Sequence, residues 1–394
     1  MPQTVENPGS ICSSELTLPK ERVSVVYHFF PHYRAPILEE LARSQRYQFE
    51  FWGAIDGIYG IEAFKGSEQV KINELKFKAD GLFGRSVSGY WPIIFDVDVR
   101  AIIILGDPNI RSTWVIAVVG RLLRKKILFW THGWLKPENK LKAKIRNLYF
   151  SLADRVLTYD DRAIEIARST GFPTERITPI YNSLDWGRAR EISRALQASD
   201  LSRAREEMSS SPTAPILICT ARLTSLCRFD LLIEAASLLK KENFPVTLVL
   251  VGDGPERERL QARADALTVP IRFMGALYDE EKLGRFISAA DVTVSPGKVG
   301  LTAMHSLMYG TPVITHDDRD AQMPEVEAIR PGFNGAFFRR DDARDLAAVI
   351  KAWIEGVIDR SAIRQRCQKV IEERYNPVTQ RKLIEEALTD AGLQ

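Results

Sequence analysis

The sequence is poor in cysteine. Cys12, Cys219, Cys227 and Cys367 form no CxxC pair and no metal-ligand spacing. That argues against a disulfide-stapled scaffold or a zinc module, and it predicts a reducing, cytoplasmic setting. The chain also lacks an uncharged apolar run approaching the ~18–20 residues of a membrane-spanning helix. Its first 20 residues, with Pro2, Asn7, Pro8, Gly9 and Ser10, lack the apolar core of a secretory leader and read as a polar tail. No repeat with a period of roughly 20–50 residues is visible. An acidic Asp-x-Asp pair occurs only as Asp96-Val97-Asp98, ahead of its predicted strand, so no resident metal or cofactor is expected.

A strong charge of one sign is missing as well, since the formal net charge is +3. The average hides a local surplus: residues 101–150 hold ten Lys/Arg against two Asp/Glu. No nucleic-acid reader motif or aromatic-basic platform accompanies that stretch, and no nucleic-acid partner is expected.

What is present is apolar material in a regular order. In a chain of 394 residues with 45% apolar content, β-branched runs alternate with helix-length amphipathic stretches, the pattern of parallel sheets built from βαβ units. Strands are predicted near Val23–Phe29, Gln48–Trp52, Ala101–Leu105, Ile127–Thr131, Arg155–Tyr159 and Ile177–Tyr181. A second set falls near Ile216–Thr220, Val246–Val251, Ile271–Met274, Val292–Ser295 and Pro312–Thr315. Many are continuous apolar runs, which calls for helices on both faces. The expected organisation is a tail (1–20), a doubly wound α/β domain (21–185), a polar helix and linker (186–214), a second such domain (215–375) and a terminal helix (376–394). Leu346, Val349, Ile350, Trp353, Ile354, Val357 and Ile358 follow the spacing of a helix with one buried stripe.

Ligands of open α/β sheets bind beyond the carboxyl ends of the strands. His28, His32, His132 and His316 stand at or just after predicted strands, and His305 follows a few residues into a helix. In Phe129-Trp130-Thr131-His132-Gly133-Trp134, Gly133 permits close backbone approach, the tryptophans offer faces for a sugar ring, and His132 can exchange a proton or donate a hydrogen bond. Val251-Gly252-Asp253-Gly254-Pro255-Glu256 reads as a tight βα turn. Ser295–Thr302 runs from a strand into a helix, so the amides of Gly300, Leu301 and Thr302 face an anion. With Arg222 and Arg228 just past Ile216–Thr220, these groups compose a diphosphate site.

Taken in this order, the residues resemble glycosyltransferase family 4 of the GT-B fold. The likeness rests on Ala221-Arg222-Leu223 with Phe229–Ala235, Val251–Glu256, Phe273-Met274-Gly275, Ala290-Asp291-Val292, Gly300-Leu301, Tyr309–Ile314 and Pro324-Glu325. In the first half it rests on His132-Gly133 and Tyr181-Asn182-Ser183-Leu184-Asp185. The resemblance implies two Rossmann-like domains facing across a cleft, and transfer of a sugar from a nucleotide-sugar, with retention and without metal. It implies donor contacts from Arg222, Arg228, Gly300, Leu301, Thr302, His305 and Glu325, with His132 as the catalytic residue beside the sugar. His32, Arg34, Gly133 and Trp134 fall on the acceptor side.

The sequence departs from the family pattern in three places. The family's diphosphate lysine falls on Cys227, with Arg228 its neighbouring replacement, and the two glutamates of E-x7-E fall on Gly297 and His305. The run Pro296-Gly297-Lys298-Val299-Gly300-Leu301 with His305 resembles the variant motif of a subgroup. A sugar-nucleotide epimerase and a non-catalytic binder of the same fold stand as alternatives. In Lys140–Leu152, which overlaps the basic segment Lys136–Arg146, Leu141, Ile145, Leu148, Tyr149 and Leu152 form an apolar stripe with a cationic rim. It either rests on an anionic membrane, bringing His132 to a lipid-linked acceptor at the inner face, or faces the core.

Overall fold

The computed structural model describes residues 20–58, 60–78, 85–356 and 359–394. Nearly all of the predicted tail, Cys12 included, and Val357 and Ile358 of the predicted helix lie outside the described residues. The first half contains strands β1 (Glu21–Phe29), β2 (Tyr47–Ala54), β3 (Ile72–Glu74), β4 (Lys76–Lys78), β5 (Ser86–Ser88), β6 (Val99–Leu105), β7 (Lys126–Trp130), β8 (Arg155–Thr158) and β9 (Ile177–Pro179). The second half contains β10 (Ile216–Thr220), β11 (Thr247–Val251), β12 (Ile271–Gly275), β13 (Val292–Ser295), β14 (Val313–His316) and β15 (Gly335–Phe338).

Seven strands form a parallel sheet in the order β3-β2-β1-β6-β7-β8-β9, and six form another in the order β12-β11-β10-β13-β14-β15. Strands β4 and β5 make a separate antiparallel pair. In each sheet the winding reverses once, between β1 and β6 in the first and between β10 and β13 in the second. Such reversals leave a crevice beyond the strand ends where ligands settle. The strands are fully buried apolar runs, as at Ala101, Ile102, Ile103 and Ile104, because helices cover both faces. The fold is the doubly wound α/β arrangement expected, and each strand read from the sequence is present to within about two residues. The short β3, β4, β5 and β15 carry too little apolar periodicity to be read.

The polar stretch Arg188–Met208 is two helices, Trp186–Ala195 and Ala198–Met208, not one. The break has a cause in the chain: Gln197 and Asp200 form a reciprocal capping box that starts the second helix. Helix Pro377–Asp390 returns to the first sheet, where it packs on helix Ala35–Ala42 and on β8 and β9. Its Ile384, Ala387 and Leu388, with Leu393, share one apolar core with Val23, Val25 and Leu128. Among the described residues no helix is long and apolar enough to cross a membrane.

Candidate active site

At the reversal of the second sheet, the loop after β10 is laced to the turn after β11. Leu223 N–H donates to Asp253 O at 3.0 Å and Ala221 N–H to Val251 O at 3.0 Å. The strands approach this closely because Gly252 and Gly254 bring no Cβ against the carbonyls of Ala221 and Leu223. Arg222 is thereby held at the rim with its side chain exposed, and among the described residues its guanidinium has no partner. Its Nη1 lies 3.6 Å from where a side chain on Gly60 of the first half would begin, so the arginine reaches across the cleft.

Helix Leu301–Met308 begins beside it. The Thr302 hydroxyl donates to Thr220 O at 2.7 Å, tying the helix start to the end of β10, two residues before Arg222. The backbone N–H groups of Gly300, Leu301 and Thr302 have no acceptor among the described residues. Buried Gln322 holds the approach to this helix: its Oε1 accepts from Val299 N–H at 2.7 Å and its Nε2 donates to the Thr315 hydroxyl at 2.9 Å. Three amides and a guanidinium, all without an acceptor among the described residues, meet at the positive end of a helix, a grouping whose chemistry suits an anion.

The departures at 227 and 297 belong together. The 3-10 turn Ser225–Cys227 lies against Gly297, whose N–H donates to Cys227 O at 3.1 Å. A Cβ at 297 would overlap the Leu226 carbonyl oxygen and stand 2.9 Å from Cys227 Cα. The turn occupies the space that a glutamate side chain would enter.

Two predicted donor residues are engaged elsewhere. Arg228 sits at φ +53°, an unfavourable left-handed conformation for a bulky residue, and its guanidinium pairs with Asp341 and, at 3.4 Å, with Asp230. As a diphosphate cation it first has to leave two carboxylates. His305 Nε2 is 3.1 Å from Glu280 Oε1, which also accepts from Tyr309 Oη at 2.7 Å. A carboxylate therefore stands beside the position of the second family glutamate, supplied by another helix.

At the reversal of the first sheet is a cavity of about 420 Å³ lined by Tyr27, His28, Arg34, Asp107, His132 and Tyr159, among others. A wider groove of about 1010 Å³ runs along helix Trp186–Ala195, away from both reversals. His132 presents its ring to the smaller cavity, 4.9 Å from the ring of Tyr159. Crowding by protein, then the charge of Arg34, lower its pKa to about 4. His28 is pushed to about 4 by burial first and Arg34 second. Both rings are neutral at pH 7, which favours hydrogen bonding by His132 over proton exchange.

Gly133 lines the cavity, and its carbonyl accepts from Arg146 at 3.0 Å. Arg146 also forks onto Glu138 through two 2.8 Å bonds, so it buttresses the His132 turn and is no part of a free cationic rim. Trp134 is not a sugar platform: it is buried against Phe150 and Phe172, and its Nε1 donates to Asn147. Trp130 is wholly buried too. His32 is solvent-exposed and outside the cavity lining. His316 is buried beneath the second sheet's edge, ring against Phe338.

Glu325 is a seam residue. Its Oε1 accepts from Asn182 Nδ2 at 2.8 Å across the two halves, and its Oε2 is buried without a partner among the described residues. Burial raises its pKa, more than Asn182 and the charge of Arg34 lower it. Nearby, Glu327 caps helix Arg162–Ser169 from the other half, accepting from the N–H of Asp161 and Arg162 at 2.9 and 3.0 Å. Asp160 accepts from Ala163 N–H at the same helix end. Burial, then the charge of Glu327, push Asp160 up to about 7. An unfolded Asp titrates near 4, so the folded protein keeps this proton between about pH 4 and 7. The stability it supplies is complete below pH 4 and is lost as pH rises to 7. Asp160→Asn, which keeps the bond to Ala163, is expected to raise the melting temperature above pH 7 and flatten its fall between pH 4 and 7. Each tenfold weakening of the carboxyl as an acid on folding corresponds to about 1.4 kcal/mol of that fall. Thermal denaturation across pH reads this directly.

Among the described residues no group of three or more His, Cys, Asp or Glu is placed to hold a metal ion. Gln322, Glu280 and Glu327 escaped the sequence reading because each acts on residues that neither spacing nor motif connects to it.

Residues 202–370 match the family Glycosyl transferases group 1. Over 119 residues the chain is 34% identical to the GDP-mannose-dependent alpha-(1-6)-phosphatidylinositol dimannoside mannosyltransferase of Mycobacterium tuberculosis, covering 29% of this chain and 30% of that protein. Over 226 residues it is 27% identical to the D-inositol 3-phosphate glycosyltransferase of Nocardia farcinica, covering 54% and 47%. The matched stretches thus span less than half of either relative. Among solved structures, HepE of Anabaena in complex with UDP superimposes with a TM-score of 0.71 at 18% identity, covering 94% of this chain and 99% of that one. A glycosyltransferase from Rickettsia africae gives 0.71 at 15% identity, covering 96% and 100%. The chain therefore has the GT-B fold, and the part of it most like known glycosyltransferases in sequence is residues 202–370.

Proposed function

We propose that the protein is a glycosyltransferase that moves a sugar from a nucleotide-sugar to a saccharide or lipid-linked acceptor, with retention and without a resident metal. The observation that carries this reading is the unpartnered Arg222 beside the open amides of Gly300, Leu301 and Thr302 at the second sheet's reversal. The names of the relatives agree with it: one uses GDP-mannose, and the Anabaena neighbour holds UDP.

When the glycosidic bond of the donor breaks, the departing diphosphate gains negative charge. Arg222 and the helix start would stabilise it through fixed donors that need no reorganisation. Neutral His132 would donate a hydrogen bond to the sugar. Being a weak base, it supports front-face transfer, in which the leaving phosphate oxygen takes the acceptor proton. The test is incubation with UDP- and GDP-sugars, alone and with acceptors, followed by mass spectrometry. Glycosylated acceptor is the expected product. An isomerised sugar in the donor alone would establish the epimerase, and failure to bind any nucleoside diphosphate would sink the reading.

A site at the inner face of the cell membrane is the finer part of this proposal. Leu141, Ile145 and Leu148 are 69%, 50% and 62% exposed along one face of helix Lys140–Phe150. Tyr149 turns inward to the core, its hydroxyl bonded to Thr113 of helix Arg111–Leu122, whose Val115, Val118 and Leu122 are exposed as well. Exposed Lys140, Lys142 and Lys144 border this apolar face, a composition suited to anionic lipid. Reversing these three lysines to Glu is expected to weaken binding to phosphatidylglycerol vesicles by at least about tenfold, at roughly 1 kcal/mol per cation, with nucleoside diphosphate affinity unchanged. Vesicle sedimentation checks it, and unaltered binding would refute it.

A further inference from the structure

Arg34 lines the first-sheet cavity with its guanidinium 5.2, 5.0 and 5.5 Å from the ring centroids of Tyr27, Trp130 and Tyr159. A guanidinium carries five N–H donors. Here one bond is made to the described residues, to the Tyr159 hydroxyl. Among the described residues no carboxylate forms an ion pair with it; Glu325 feels its charge from beyond ion-pair distance. A cation drawn among protein groups without a counter-ion is costly, and each aromatic face returns only about 0.5–2 kcal/mol.

Among the described residues, the other charges around the cavity cancel in pairs. Arg85 faces Asp107 at 3.8 Å and Arg146 is forked onto Glu138. His28 and His132 are neutral at pH 7. The net charge that the described residues offer to an occupant is that of Arg34, set among the apolar surfaces of Tyr27, Phe29, Tyr33 and Phe77. We propose that the cavity takes an acidic acceptor, a saccharide bearing a carboxylate or a phosphate, whose oxyanion docks on the free N–H groups of Arg34 while its ring lies against the aromatic wall. The inference rests on the transferase reading and names the chemistry of its second substrate. Arg34 would fork onto such a group, giving charge and geometry together.

The test uses the full chain with 13C-labelled histidine, titrated by NMR at saturating UDP or GDP so that the second-sheet site is filled. Glucuronate and glucose 6-phosphate are the acidic probes, and glucose is the neutral one. Acidic probes are expected to bind at least about tenfold tighter than glucose, consistent with a charge-assisted pair. They are also expected to move the His28 and His132 titrations upward, since an oxyanion cancels the charge that depresses both. Tighter binding of glucuronate identifies a carboxylate, and of glucose 6-phosphate a phosphate. Arg34→Gln should abolish the preference and raise both midpoints without any probe, while Arg34→Lys keeps the charge and part of the preference. Equal binding of glucose, no binding of either acidic probe, or a preference that survives Arg34→Gln overturns the assignment. Failure of the wild type to bind any nucleoside diphosphate overturns the transferase reading instead, so the two are distinguishable.

Discussion

Arg222→Ala is expected to lower kcat/KM for sugar transfer by on the order of 10²–10³-fold, the usual consequence of deleting one preorganised donor at a developing negative charge. The melting temperature should not move. Both halves of the expectation come from the same geometry. The Arg222 side chain is exposed and forms no bond within the described chain, so its truncation takes nothing from the folded state. Its backbone is fixed by the Leu223–Asp253 and Ala221–Val251 bonds, which alanine retains. Steady-state kinetics beside calorimetric binding of UDP and GDP separate a loss in the ground state from one in the transition state. Arg222→Lys, with a point charge on a flexible stem, should recover only part of the activity. A loss below about tenfold would place the diphosphate elsewhere.

Gly297→Glu should be nearly as damaging, although it restores a residue the family resemblance finds missing. The new Cβ would collide with the Leu226 carbonyl, so the 3-10 turn Ser225–Cys227 has to withdraw and the Gly297–Cys227 bond is lost. Cys227 Sγ donates to Arg222 O at 3.2 Å, so withdrawal of the turn carries Arg222 with it. Overpacking of this kind costs about 1–3 kcal/mol of stability, and donor affinity should fall with it. Adding Cys227→Lys should bring no rescue, because the collision is with the backbone of Leu226. Thermal melting and nucleoside diphosphate calorimetry on the single and double variants decide the matter. A Gly297→Glu protein with unchanged melting temperature and undiminished activity would show that the turn is free to move.

The sequence revealed most where physics acts locally. Strands buried on both faces read as apolar runs, as in Ala101–Leu105 and Leu248–Val251, and their ends placed Arg222 and Gly300 at one sheet edge, where the structure has them. It revealed least where a side chain had a choice of direction. Trp134 follows a strand end just as a sugar platform would, and only the packing of Phe150 and Phe172 shows that it turns inward. Arg228 looked like a free cation because Asp341, one of its two carboxylates, lies 113 residues away, and its contact with the other, Asp230, depends on a left-handed backbone that the sequence does not announce. Glu327 offered no motif, since the amides it caps at Asp161 and Arg162 lie 166 and 165 residues upstream.

The return of helix Pro377–Asp390 to the first sheet bears on how the protein is made. Ile384, Ala387, Leu388 and Leu393 complete a core whose other members, such as Val23 and Leu128, leave the ribosome far earlier. The first sheet therefore waits, with that face uncovered, while residues 202–370 are synthesised and fold. The half made first should be finished after the second, and a protease pulse during translation should find it sensitive until helix Pro377–Asp390 emerges.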